Sequence, residues 1–576
     1  EETTSGVITK NAGYAGLIGR ISSFSGGSLG NISSVIRNTN TDSIKYNLAG
    51  LIGYNLQESV RFIDSEFVNN INGEENKTPA YYGKAISFTQ DVNKEYNDFV
   101  VGTNTFRNYV NSDNWIINKA QGDVFYRLTY NKKGAVRAIK TEEDLKNLLA
   151  SGGELQNDIY LTTPWNPISS FSGILTSAER PVEDREKIGP DGEKLGQYYK
   201  IFNLNINEKS NNIASNIGLF ATTQSANISN ITIVVGSNYS HADEFGNIIT
   251  YNNLGSDRYG IVINNKTLEP KDNINNLGTL SGYDKGSRFT NVTVNFVSHN
   301  ISGENKIVNP IETNLTHVGG LVGTSSESTF ENITIRNLKI TKLDFNENAF
   351  VGGLAGLLTD IKEIRGLVIE NIALGDENVG KIINNQKAGY NYIGGVAGRI
   401  INNYDLAIIG QNIDDSEEPS LIKLTKVKLE SDGGEMVFAG MMSGEVAKAN
   451  IKNVIIEDSS ISATTTNKDL SLFSIGGLIG SSTNCEINNV NIKSNNKIEA
   501  ETGDNTNFVL NAGGLIGQSF SGEITNINIS AQLNVSTKNT NVTSVGGLIG
   551  RNGTSGDLLE ASDRTGSIVK NATVKT

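Results

Sequence analysis

Apolar residues along this chain fall in short alternating runs. Phe330-Glu331-Asn332-Ile333-Thr334-Ile335, Ile451-Lys452-Asn453-Val454-Ile455-Ile456, Ile487-Asn488-Asn489-Val490-Asn491-Ile492 and Ile524-Thr525-Asn526-Ile527-Asn528-Ile529 share the order apolar-x-Asn-apolar-x-apolar. Residues 228–233 and 289–294 follow the same order. Alternation with period two, rich in Ile, Val and Thr, predicts half-buried strands. The Asn interrupts the alternation at a fixed place and predicts a corner, because Asn tolerates left-handed backbone and its amide bonds nearby backbone. Stacked at one corner of successive coils, such residues are expected to form a hydrogen-bonded ladder. The positions are Asn230, Asn291, Asn332, Asn453, Asn489, Asn526 and Asn571.

A second phrase precedes most of these runs. Gly-Gly-Leu-Ile-Gly or a close variant ends at Gly19, Gly53, Gly323, Gly356, Gly398, Gly480, Gly517 and Gly550, with looser copies at 217–221 and 438–444. Its glycines suit bends and close approaches, and its aliphatic residues suit a narrow interior. Leu17, Leu51, Leu219, Leu321, Leu354, Val396, Leu478, Leu515 and Leu548 are therefore expected to stack inside. The spacing is 34 residues from Gly19 to Gly53, 33 from Gly323 to Gly356, 37 from Gly480 to Gly517 and 33 from Gly517 to Gly550. Gly356 to Gly398 and Gly398 to Gly444 are longer, at 42 and 46. Constant coils carrying loops of variable length explain that variation, and repetition on this scale predicts a solenoid. Helical repeat arrays have units of similar length but need long helical patterns, which these units lack. A β-sandwich has no reason to repeat one phrase.

The two phrases together resemble the GLUG repeat family. Residues 137–233 add to the resemblance: Ala138-Ile139-Lys140-Thr141-Glu142-Glu143-Asp144-Leu145 is followed by Asn157-Asp158-Ile159-Tyr160-Leu161, Trp165-Asn166-Pro167-Ile168, Phe171-Ser172-Gly173 and Ile217-Gly218-Leu219-Phe220. That order is similar to the start of a GLUG-bearing module, with one short helix near 142–150, capped by Thr141 and ended by Gly152 and Gly153. The likeness covers about residues 137–574 well and 10–70 more loosely, and departs from the family in an insertion at 176–197 rich in Glu, Asp, Lys and Gly. It implies an all-β, right-handed parallel β-helix in a large secreted or surface-exposed bacterial protein. The hosts it implies are adhesins and exoproteins involved in virulence, and the N-terminal regions of zinc metallopeptidases that cleave immunoglobulin A. Five regions are expected: β-helix coils at 1–70, an aromatic and Asn-rich insertion or cap at 71–135, the module start at 136–235, a loop-rich insertion at 236–287, and regular repeats at 288–576.

Composition narrows the partners. A net charge of −13 without a basic run argues against nucleic acid and against an anionic membrane surface. No run approaches the ~20 apolar residues of a membrane span, so direct membrane insertion by this segment is not expected. The single cysteine, Cys485, excludes a disulfide within the chain and reads as a small packed residue. The opening Glu1-Glu2-Thr3-Thr4 lacks a signal-peptide pattern and both ends fall near repeats, so a mature or excised segment of a larger exported protein is expected.

Catalytic motifs do not emerge. The histidines are His241, His299 and His317, and none has the spacing of a zinc-binding helix. No Gly-x-Ser-x-Gly elbow joins a strand to a helix. His317 is expected at a surface or corner. Acidic groups at Asp257-Arg258, Asp414-Asp415-Ser416-Glu417-Glu418 and Glu183-Asp184-Arg185-Glu186 lie outside the repeat phrases and predict solvated loops. No catalytic residue, metal site or cofactor is expected. Tyr81, Tyr82, Tyr96, Tyr109 and Trp115 lie in the aromatic-rich segment 71–135, which reads as a packed insertion or as a binding surface. The interval 236–287, with Tyr239, Phe245, Tyr251, Tyr259 and Tyr283, is a second candidate. The leading expectation is a non-enzymatic adhesin stalk or binding scaffold, extracellular or on the cell surface, for a host-cell or extracellular protein or glycan. The alternatives are an accessory region of a secreted zinc metallopeptidase and a polysaccharide-active β-helix enzyme.

Overall fold

A computed structural model describes most of residues 137–575, apart from short connections and the stretches 208–214, 251–260, 264–275, 376–381, 411–419 and 554–565. Between Gly13 and Leu128 it describes strand backbone alone. The chain divides into two compact units, Glu1–Arg137 and Ala138–Thr576.

The second unit is a parallel β-helix. Most of its strands pair in parallel with the equivalent strands one coil further on, forming a 29-stranded ladder and a separate nine-stranded sheet, with antiparallel hairpins at 240–250 and 298–307. The coil containing Leu478 shows the plan. Strand Leu472–Gly476 belongs to the nine-stranded sheet, and the chain then turns at Gly477 and Leu478 into the long strand Ile479–Asp504. The runs 479–483, 486–492 and 497–502 of that strand face the next coil at Ile516–Lys538. Gly477 is required by crowding, since a Cβ there would lie 2.1 Å from the carbonyl oxygen of Gly514.

The turn after the glycines builds a backbone ladder. Leu280 N–H donates to Leu321, Leu321 to Leu354, Leu354 to Val396, Val396 to Met442, Met442 to Leu478, Leu478 to Leu515 and Leu515 to Leu548. Leu219, Leu321, Leu354, Val396, Leu478 and Leu515 are fully buried in one core, against which the half-buried Leu548 packs. Stacked rings add to the interior, with Phe171 4.5 Å from Phe220 and Phe289 5.1 Å from Phe330. Trp165 is 1% exposed, and its indole N–H donates to Leu219 O at 2.9 Å. Leu17 and Leu51 lie outside the described residues.

The Asn corner is left-handed throughout. Asn230, Asn291, Asn332, Asn453, Asn489, Asn526 and Asn571 have φ between 51 and 56°. Asn291 Nδ2 donates to Asn230 Oδ1 at 3.0 Å, Asn332 to Asn291 at 3.1 Å and Asn489 to Asn453 at 2.8 Å. Asn526 donates to Asn488 at 3.0 Å and Asn571 to Asn526 at 3.3 Å. Gly366, at φ 60°, occupies the coil next to Asn332. Glycine reaches that backbone without steric cost, so it replaces Asn and the side-chain ladder stops there. A second left-handed column runs through Asn337, Asn371, Lys426, Asp458 and Asn495.

Several expectations change. The helix is shorter, Glu142–Lys146, with Thr141 and Asp144 forming its capping box and Asn147 its C-cap. Gly152 and Gly153 belong instead to strand Gly152–Leu155, which pairs in parallel with Ile174–Ser177. Gly152 turns the chain into that coil at φ 94°. Residues 276–285 form a regular coil in place of an insertion: Asn276–Leu277 and Ser281–Lys285 join both ladders, and Leu280 is fully buried. Thr279 and Ser281 disguise this copy, because they stand where other coils have Gly and an aliphatic residue.

In the first unit, parallel pairing links Ile18–Ile21 with Ile52–Asn55 and then with Tyr81–Gly83. Ser87–Phe88 likewise pairs with Val60–Ile63, so the coil pattern extends beyond residue 70. It gives way to antiparallel pairing at Thr105–Asn108 and to the hairpin Trp115–Asn118 with Phe125–Leu128.

Candidate interaction surface

Most ionised side chains on the coils are paired across or along strands. Arg288 meets Glu331 at 2.7 Å, Arg365 meets Glu363 at 2.9 Å, and Lys570 meets Glu523 at 2.7 Å. Lys493 and Lys423 both reach Glu457, and the bond from Lys493 holds that carboxyl below its ordinary range. Exposed pairs of this kind contribute little individually and serve mainly to keep like charges apart along a column. Among the described residues, no group of three or more His, Cys, Asp or Glu side chains gathers as metal ligands would.

Asp284 and Cys485 are among the buried polar and ionisable groups. Asp284 is fully buried, and its carboxylate accepts from Thr223 at 2.7 Å, Ser325 at 2.7 Å and Ser328 at 2.5 Å. Burial raises its pKa despite those bonds. Cys485 is buried as a small packed residue, and burial pushes its thiol up, away from the nucleophilic thiolate.

His317 is not a surface or corner residue. It begins an aromatic column on the nine-stranded sheet, stacked 4.4 Å from Phe350, which stacks 4.9 Å from Tyr392, which stacks 5.0 Å from Phe438. Arg399 lies 5.0 Å over Tyr392 and pairs with Glu445 at 2.6 Å. His317 is 6% exposed, and burial lowers its pKa to about 4. Burial likewise pushes the Tyr392 phenol up to about 12. The strand register aligns these rings, although the residues are far apart in sequence.

The charged insertion near 176–197 is a packed element. Its base is held by Arg180, whose Nη1 and Nη2 donate to Asp158 at 2.9 and 2.6 Å, with the guanidinium 4.6 Å above Tyr199. Lys200 Nζ bonds the buried Asp191 at 3.1 Å and Lys194 O at 2.9 Å, and Arg336 reaches Glu193 at 3.4 Å. Leu195 packs on a second apolar cluster formed by Phe202, Val234, Val297 and Tyr160. An apolar patch covered this way is withdrawn from water, which explains why so charged a segment is ordered. Its outer side leaves Val182 72% and Ile188 67% exposed, beside Glu183 and Glu186. The charged run reads in sequence as a solvated loop because two of its ion-pair contacts, Arg180 with Asp158 and Arg336 with Glu193, span 22 and 143 residues.

A second outward feature is the corner loop Asn402 to Leu406, which exposes Tyr404 by 85%. The sequence signal was present, as an aromatic residue flanked by turn-forming Asn and Asp. Asp257-Arg258 and the acidic run 414–418 lie outside the described residues, as do the side chains of Tyr81, Tyr82 and Trp115 and the whole of Tyr96 and Tyr109. Tyr239, Phe245, Tyr251 and Tyr259 also lie outside them, whereas Tyr283 is half-buried in strand Ser281–Lys285.

In comparisons with known proteins, no family model, curated protein or solved structure matches the chain, so this surface is read from its own geometry.

Proposed function

We propose that the chain is a non-enzymatic β-helical display scaffold from a surface-exposed or secreted bacterial protein, of the kind the GLUG resemblance implies, and that it binds through elements inserted at its corners. The supporting observation is the 180–198 insertion. Buried ion pairs to Asp158 and Lys200 hold it rigidly, yet Val182 and Ile188 remain in solvent. Rigid loops on a stiff support lower the entropy lost on binding. The coil residues serve stacking: their apolar faces fill the core, their Asn residues bond one another, and their charges pair on the outside. The partner is a host-cell or extracellular protein or glycan, and binding needs no cofactor.

The test is a binding and turnover screen of the whole purified chain against immunoglobulin, matrix proteins and a panel of polysaccharides, with a cell-binding assay alongside. Saturable binding without turnover is expected. Turnover abolished by replacing one charged residue on a coil face sinks the reading in favour of the enzyme.

A further inference from the structure

In seven other coils the turn from the second to the third strand is made at a single left-handed residue: Ser225, Gly286, Glu327, Asp360, Lys448, Asn484 or Ser521. In the coil that starts at strand Tyr390–Gly394, the same turn is the run Asn402-Asn403-Tyr404-Asp405-Leu406. Hydrogen bonds hold this run from both neighbouring coils. Asn402 N–H donates to Ala447 O at 3.1 Å, and its amide donates to Ile361 O at 2.9 Å and Asp405 O at 3.2 Å. Asp360 accepts from Asn403 N–H at 2.6 Å and from its side-chain amide at 3.0 Å. Lys448 Nζ closes the base on Asn403 O at 2.5 Å.

None of these bonds uses the side chains of Tyr404, Asp405 or Leu406. Tyr404 is 85% and Leu406 42% exposed, and the exposed Asp405 carboxylate forms no ion pair or side-chain hydrogen bond among the described residues. Apart from Leu421, 39% exposed just before strand Ile422–Gly433, the other exposed large apolar side chains among the described residues belong to the 180–198 insertion or to the last coil. This one lies on a mid-stack coil with paired neighbours on both sides.

We propose that Tyr404, with Leu406 beside it, is a preorganised anchor that inserts into an apolar pocket on a partner protein, whose rim carries a basic group facing Asp405. This rests on the scaffold reading and names the partner class for one of its corners. Shape favours a protein: a protruding ring is buried only if the partner supplies the concave apolar wall, which protein pockets provide. Charge selects the rim, because the cation beside the loop, Lys448, is engaged with a backbone carbonyl while Asp405 is unpaired, in a chain of net charge −13. A rigid Tyr loses little conformational freedom on docking and offers a large contact area, the property that makes it common at energetic centres of interfaces.

The test uses the whole chain and the variants Tyr404→Ala and Asp405→Lys against immobilised immunoglobulin, fibronectin, collagen and mucin, with heparin and chitin as glycan arms. Melting temperature and circular dichroism are expected to match the parent, since the altered side chains bond nothing. A panel protein should bind with a Kd that rises about 10- to 100-fold in Tyr404→Ala. Its association rate should fall with added salt and fall again in Asp405→Lys. A protein ligand indifferent to Tyr404→Ala overturns the anchor while leaving the scaffold standing. Binding in the glycan arms alone overturns the protein partner. A panel with no ligand at all counts against the scaffold reading and the anchor together.

Discussion

The coil that includes Leu478 and the coil that includes Val396 share one cross-section but treat their corners differently. In the first, strand Ile479–Asp504 passes its first two corners at single residues, Asn484 and Asn489. In the second, the run 402–406 fills the first corner, and the chain leaves the coil at the left-handed Gly410 and rejoins it at strand Ile422–Gly433. Ile409 nevertheless pairs with Ile451, and Ile451 with Ile487, without a shift of register. Inward columns therefore set the register, because slipping by one residue would turn every apolar side chain outward. Corners are excluded from that constraint, and it is there that the chain carries extra length.

The largest effect should come from the columns. Leu478→Ala is expected to cost about 2–5 kcal/mol by denaturant titration, as cavity-forming core changes do. Leu548→Ala, in the half-buried last coil, should cost clearly less. Equal losses at the two sites would mean that stacking from both sides does not set stability.

Acid should act next, through His317. Its folded pKa of about 4 lies below the ordinary value near 6.5, so the unfolded chain binds the proton more readily between those values. Stability contributed there is complete above about pH 6.5 and is lost as pH falls toward 4, by up to about 3 kcal/mol. His317→Phe, which keeps a ring in the column, should flatten that part of the profile of melting temperature against pH. An unchanged profile would show that His317 is not the titrating group.

Corners give a smaller effect. Asn489→Ala keeps a Cβ at φ 56° but loses the amide that lets Asn tolerate this backbone, and removes the bond to Asn453, for an expected loss of about 1–2 kcal/mol, whereas Asn489→Gly should lose less. Identical losses would show that backbone strain is not part of the corner's cost.

The smallest change concerns Asp284. Its raised pKa means that stability linked to this group is fully present below the ordinary carboxylate range and lost as pH rises through the raised value. Asp284→Asn should therefore leave the neutral-pH melting temperature equal or slightly higher and remove that slope. A marked drop would show that the surrounding hydroxyls stabilise the carboxylate by more than burial penalises it.

By itself, the sequence determined the repeating elements. Alternating Ile and Val runs, the Gly-Leu corner and the Asn at a fixed offset specify strands, a close approach and a left-handed turn, all of which depend on local chemistry. Leu321, Leu354, Leu478 and Leu515 could be named as core because the phrase repeats around them. Tertiary structure alone decided what lies opposite what. His317 joined Phe350, Tyr392 and Phe438 only through the register of four coils, and Asp284 became buried only because Thr223 and Ser325 stack on either side. Arg180 and Arg336 turned a charged segment into a fixed element by bridging 22 and 143 residues of chain, with Lys200 closing back onto Asp191. Tyr404 was visible as a residue but not as an anchor, since its exposure and rigidity depend on Asp360 and Lys448 in the adjoining coils. Periodicity encodes what each position is, whereas burial and pairing across a coil are properties of neighbours about 33–61 residues away.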